Sequence, residues 1–333
     1  MMRPVIHPAM LPVTSPATRA RARPPRGRRE RGLTLVEMMV ALTVGLGVAL
    51  TAARLLLLAN GAWAEQMEDA ALDDGGRFAL ALVAQAVRQA GHVDLAQLDA
   101  PATPDAPPAR LAGLDARSLG KAAPGIGAPL PDAANGSDVL AVRFPGAGPA
   151  PDGDGSVASC AGFAMPQGEE GWSIFYVARN ADGEAELRCK YRGAANWSAD
   201  AIVTGVDGFQ VLYGLDTDTP RDGVPNRYVN AAAIDALDAG LGLGADQQAL
   251  RRQTHWKRVA SVRVSLLLHG ARPTRADASA AGAAFDLFGA GYADTVGDAD
   301  RGTSLQVAAF PAALRRRERR LFTTTVALPA PAL

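Results

Sequence analysis

The chain has 333 residues, 48% of them hydrophobic and only 5% aromatic, with 35 glycines and 23 prolines. This suits one large or two ordinary domains with a core, a membrane segment and many loops. The formal net charge of zero hides an asymmetry. Residues 1–32 hold eight arginines against the single acid Glu30, leaving 26 basic and 33 acidic residues in the remainder. A basic tail ahead of a mildly acidic body is the pattern of a targeted protein and argues against nucleic-acid binding.

Residues 1–32 are rich in Arg, Pro and Ala and have no apolar period, so disorder is expected. The positive-inside rule keeps these arginines cytoplasmic. The bulk of the chain then lies across the membrane, in the periplasm of a Gram-negative cell.

Residues 33–59 form the apolar run. Ala62-Trp63-Ala64 resembles a signal-peptidase site, but the run exceeds the usual signal core of about 7–15 residues. Leu33–Leu58 as a helix would span about 39 Å, enough to cross a bilayer with some tilt. Neither a signal peptide nor a plain anchor explains Glu37, because a carboxylate deep in lipid costs roughly 2.5–3.5 kcal/mol. Cleavage after Gly32 would explain it. Leu33 would then carry a free amine, and a neighbouring subunit's amine could lie against Glu37 and set the register. Arg54 falls near the far interface, where its stem can snorkel.

Arg31-Gly32-Leu33-Thr34-Leu35-Val36-Glu37 resembles the processing site of type IV prepilins, with Leu33 where Phe or Met is commoner. The resemblance implies cleavage after Gly32 and N-methylation of Leu33 by a prepilin peptidase. It also implies that Glu37 accepts the charge of a neighbouring N-terminus during assembly.

Residues 60–91 continue as the periplasmic part of the N-terminal helix. Phe78, Leu82, Ala86 and Ala90, with Val83 and Val87 beside them, form an amphipathic stripe. Gly91 suits the helix end. Gly75-Gly76 should soften or kink the helix, at about 1 kcal/mol per glycine. Residues 92–137 have little periodicity and suggest an irregular Pro/Ala/Gly-rich connection.

The β-rich head is expected over 138–333. Asp138–Phe144 alternates, and Ser173–Val177 and Ala185–Tyr191 flank a turn at Asn180–Gly183 as a hairpin. Further strands are expected at Val206–Tyr213, Trp256–Leu268 and Leu321–Leu328. A long helix followed by antiparallel strands predicts an α+β fold with the helix on one sheet face. Cys160 and Cys189 lie beyond the apolar run, where an oxidising compartment favours a disulfide over two buried thiols. A loop of that size would contribute about 3–4 kcal/mol in the chain-entropy model.

Several ordered segments resemble the PilW minor pilins: Asp74–Leu80, Arg88–Gly91, 205–229, 256–268 and 315–328. The resemblance implies a type IV pilin-like α+β fold and assembly into the pilus or its initiating tip complex. The implied partners are other minor pilins, the major pilin, the prepilin peptidase and the inner-membrane assembly machinery. A J-type minor pseudopilin of type II secretion shares the same leader logic, and an anchored periplasmic enzyme or ligand-binding protein is the more distant alternative.

No catalytic constellation is visible. His7, His92, His255 and His269 form no metal motif, and no phosphate loop or nucleophile elbow occurs. Asp216, Asp218 and Asp222 could offer oxygen ligands to Ca²⁺, set against an Asx-rich turn. Arg315–Arg320 is expected as a solvated basic turn, and Trp172, Trp197 and Trp256 as packing residues.

Overall fold

The computed structural model describes residues 32–90, 109–131, 133–193, 196–242, 254–274, 282–296 and 299–328. The basic leader ahead of Gly32 and the helix end expected at Gly91 lie outside these residues. The chain divides into two units, Met1–Ala59 and Asn60–Leu333, and helix α1 (Leu35–Gln89) contributes residues to both.

In the first unit every described residue is exposed. Its large apolar side chains run from 55% exposed at Val40 to 80% at Leu33. A helix with this much uncovered apolar surface takes its stability from lipid or from another chain.

In the second unit α1 buries Leu72, Gly76, Leu80, Val83 and Val87, together with Ala79, Ala84 and Ala86. Intervals of three and four place these on one side. The expected stripe is therefore rotated, because Phe78 is 59% exposed. The expected kink is also missing, since the helix runs unbroken through Gly75-Gly76. Gly76 has a packing role instead: a Cβ there would overlap the ring of Phe322.

The connection expected to be irregular contains secondary structure. It holds strand β1 (Leu111–Leu114) and a small pair, β2 (Ser118–Leu119) and β3 (Pro129–Leu130). Leu111 and Leu119 are buried, so the head begins earlier than residue 138. Too short and Gly/Ala-rich to stand alone, β1 forms by pairing with β4 (Val139–Pro145), Leu111 opposite Val142. It is the edge of a five-stranded antiparallel sheet in the order β1-β4-β5-β6-β7. The others are β5 (Glu170–Arg179), β6 (Ala185–Arg192) and β7 (Trp197–Thr204). The β5–β6 hairpin turns where expected. Asn180 Oδ1 accepts the N–H groups of Asp182 and Glu184, both at 3.0 Å, and Gly183 takes a φ of 81° that favours glycine.

A second, four-stranded antiparallel sheet comprises β8 (Val206–Leu215), β9 (Arg227–Val229), β10 (Val259–Pro273) and β13 (Arg317–Ala327), in the order β13-β10-β8-β9. Between its strands lie α2 (Ala231–Ala239) and the small pair β11 (Ala284–Asp286) and β12 (Ser304–Gln306). Phe209, Val211 and Tyr213 of β8 and Val262, Val264 and Leu266 of β10 join the main core with α1 and with Leu140, Phe175, Val177 and Leu187 of the first sheet. Leu267 faces the other way into a smaller cluster with Leu287, Leu305, Val307 and Phe310. Both faces of β8 are therefore covered, and all ten of its residues are buried. Trp172 and Trp197 meet edge to face at 5.8 Å beside a separate cluster on the first sheet.

Candidate functional site: the helix start and the head that carries α1

Glu37 is satisfied locally. Its Oε2 accepts the backbone N–H of Thr34 at 3.0 Å and the Thr34 hydroxyl at 2.9 Å. The Glu37 N–H is turned to Thr34 Oγ1 at 3.3 Å. These reciprocal bonds form a capping box, which satisfies donors left open at a helix N-terminus and starts α1 directly after Gly32-Leu33. Thr34-Leu35-Val36-Glu37 carries the S/T-x-x-E signature, so sequence reasoning missed a legible signal here.

The head grips its share of α1 by packing and by charge. Arg320 reaches Asp73 at 2.6 Å, and this hydrogen bond holds the Asp73 carboxyl below the ordinary aspartate range. Glu68 accepts the Ala271 N–H at 3.0 Å, with Arg272 3.6 Å away. These contacts correct the expectation of a solvated basic turn at Arg315–Arg320, because β13 begins at Arg317 and absorbs most of it. Arg319 is the extreme case. Its Nε donates to Asp207 Oδ2 at 2.7 Å, with both side chains 2% exposed, and it also donates to the carbonyls of Leu314 and Arg317. His269 joins them: Nε2 meets Glu184 Oε1 at 2.5 Å. Its Nδ1 lies 3.0 Å from Asp207 Oδ1, an ion-pair distance without hydrogen-bond alignment.

Two aspartates, Asp138 buried and Asp115 half-buried, hold the head's connections. Asp138 accepts the N–H groups of Ala116 at 3.0 Å and Val211 at 2.9 Å, and burial pushes its carboxyl well above the ordinary range. Asp115 accepts the first N–H groups of α2, from Ala231 at 3.0 Å and Ala232 at 2.7 Å. Burial pushes Asp115 up to about 6, against the opposing pull of those N–H groups.

Cys160 and Cys189 are bonded, with their Cα atoms 5.9 Å apart. The bond is the one expected from sequence, and it ties β6 to the loop ahead of β5. Asp216, Asp218 and Asp222 do come together, with one oxygen from each within 4.8 Å of the others. Their oxygens also serve the turn. Asp216 accepts the N–H groups of Asp218 and Gly223, Asp222 that of Val224, and Asp218 an amide proton of Asn226. His255 meets Asp238 at 2.7 Å. Among the described residues no serine or cysteine nucleophile hydrogen-bonds either His255 or His269.

A long helix whose first half is apolar, followed by antiparallel sheets, defines an α+β protein with an N-terminal membrane-length helix. Residues 174–330 match the PilW family model, described as type IV pilus-assembly protein W. Residues 27–53 match the prokaryotic N-terminal methylation motif. Together the two matches support a PilW-type minor pilin of the type IV pilus, and they do not favour the type II secretion alternative. A type IV-like pilin from Thermus thermophilus is 15% identical and covers 67% of this chain and 86% of its own, with a TM-score of 0.27; so loose a superposition transfers nothing to this chain. No curated protein matches.

Proposed function

We propose that this minor pilin is cut after Gly32, N-methylated on Leu33, and drawn from the inner membrane into the pilus or its initiating tip complex by α1. The observation that carries this reading is the capping box at the first turn of an otherwise uncovered apolar helix. Glu37 is already oriented there towards the chain's own N-terminus. In the single chain the carboxylate binds Thr34. In an assembly the methylated amine of a neighbouring subunit replaces the Thr34 contacts and neutralises the acid within an apolar surround, where an unpaired charge is costly.

The leader stays cytoplasmic, residues 33–59 cross the inner membrane once, and the head lies in the periplasm. Its partners in this scheme are the prepilin peptidase, the inner-membrane assembly machinery, the major pilin and other minor pilins. The role is structural, with no substrate turned over.

Intact-mass analysis of the mature protein tests the scheme. A chain beginning at Leu33 with one added methyl group is expected. A chain beginning at Glu65, or one retaining Met1, would overturn it.

A further inference from the structure

The second unit contains a groove of about 450 Å³ between α1 and the ends of β7 and β10. Its floor is buried Leu72 and Leu268, and Val203 forms one wall. Two large apolar side chains on its rim remain uncovered, Trp63 at 66% and Met67 at 54% exposure. At its mouth Arg272 is 70% exposed, while its partner Glu68 is turned inward at 16%. The outward-facing charge is therefore cationic. Its volume falls in the range of small-molecule sites, roughly 300–1,000 Å³.

The chain position identifies an occupant. Trp63 follows almost immediately after the apolar run that ends at Ala59, so in an inserted chain this stretch leaves the hydrocarbon at headgroup level. Tryptophan and arginine are the side chains suited to that layer, the indole against acyl carbonyls and the guanidinium against phosphate. An apolar groove rimmed by Trp and Met, with one exposed guanidinium at its mouth, matches an acidic phospholipid in both apolar and charged parts.

We propose that this groove holds an acidic phospholipid before assembly, with the upper acyl chain against Trp63 and Met67 and the phosphate at Arg272. The proposal rests on the membrane-anchored reading above. A lipid held there would shield the exposed rim until a neighbouring subunit displaces it.

The full-length chain in phosphatidylcholine nanodiscs containing phosphatidylglycerol with an acyl diazirine provides the test. After irradiation and trypsin, mass spectrometry reads two peptides, Leu55–Arg77 from α1 and Val264–Arg275 from the β10 side. Adducts on both are expected. Those on Val264–Arg275 should fall at least threefold with Arg272→Glu, a change at an exposed side chain, and equally when the diazirine is carried by phosphatidylcholine. Adducts on Leu55–Arg77 alone would overturn the proposal while leaving the anchor intact. Adducts on Val264–Arg275 indifferent to both changes would overturn the phosphate contact, and adducts on neither peptide would overturn the anchored reading itself.

Discussion

In the proposed scheme the Glu37 carboxylate serves two partners in succession, Thr34 and then a neighbour's amine. Glu37 caps its own helix through Thr34, so in the free chain its removal frays only the first turn of α1. The larger loss is expected in assembly. Glu37→Ala should still be processed to the Leu33 terminus, while its amount in sheared pili falls several-fold on immunoblots; normal incorporation would remove the register role. Asp115 makes a different prediction, one of pH. Its folded-state carboxyl is raised from 3.8 to about 6, so the folded state holds the proton more tightly than the unfolded one. Its contribution is then fully present below about pH 4 and is lost as pH rises through about 6. Asp115→Asn should flatten that part of the melting-temperature profile between pH 4 and 7. An unchanged slope would assign it to other groups.

Elements are legible in the sequence where their local patterns are strong and are hidden where pairing alone makes them. The hairpin around Asn180–Gly183 was legible because turn chemistry and strand alternation agree over a few residues. Strand β1 was not, because Leu-Ala-Gly-Leu has no β signal of its own and exists by virtue of β4. The glycine pair in α1 misled for a related reason. Its propensity cost is local, whereas its use is a close approach by Phe322 from β13. Gly76→Leu should therefore lower stability by roughly 1–3 kcal/mol through overpacking. Adding Phe322→Ala should return part of that loss in a double-mutant cycle. Two independent, additive losses by thermal melting would show that helix and strand do not meet there.

At the scale of the whole head, the ion pair between Asp207 and Arg319 joins β8 to β13 across 112 residues of sequence. Both side chains are almost wholly buried. Removing one partner leaves the other charged and desolvated, so Asp207→Ala should cost about 3–5 kcal/mol. Thermal unfolding of the full chain would register this; a fall of under about 1 kcal/mol would mean water reaches the guanidinium. The sequence by itself determined what short-range chemistry encodes. That includes the Gly32-Leu33 junction, the membrane-length run with Glu37 at its start, the principal strands and two cysteines near enough to bond. These depend on spacing, hydropathy and turn residues within a few positions of one another. Tertiary structure alone decided which face of α1 is buried, that Arg319 lies inside the head while Arg272 stays exposed, and that Asp138 links two sheets. The fate of a charge or a glycine depends on what a distant segment places beside it, and that proximity exists only once the chain has folded.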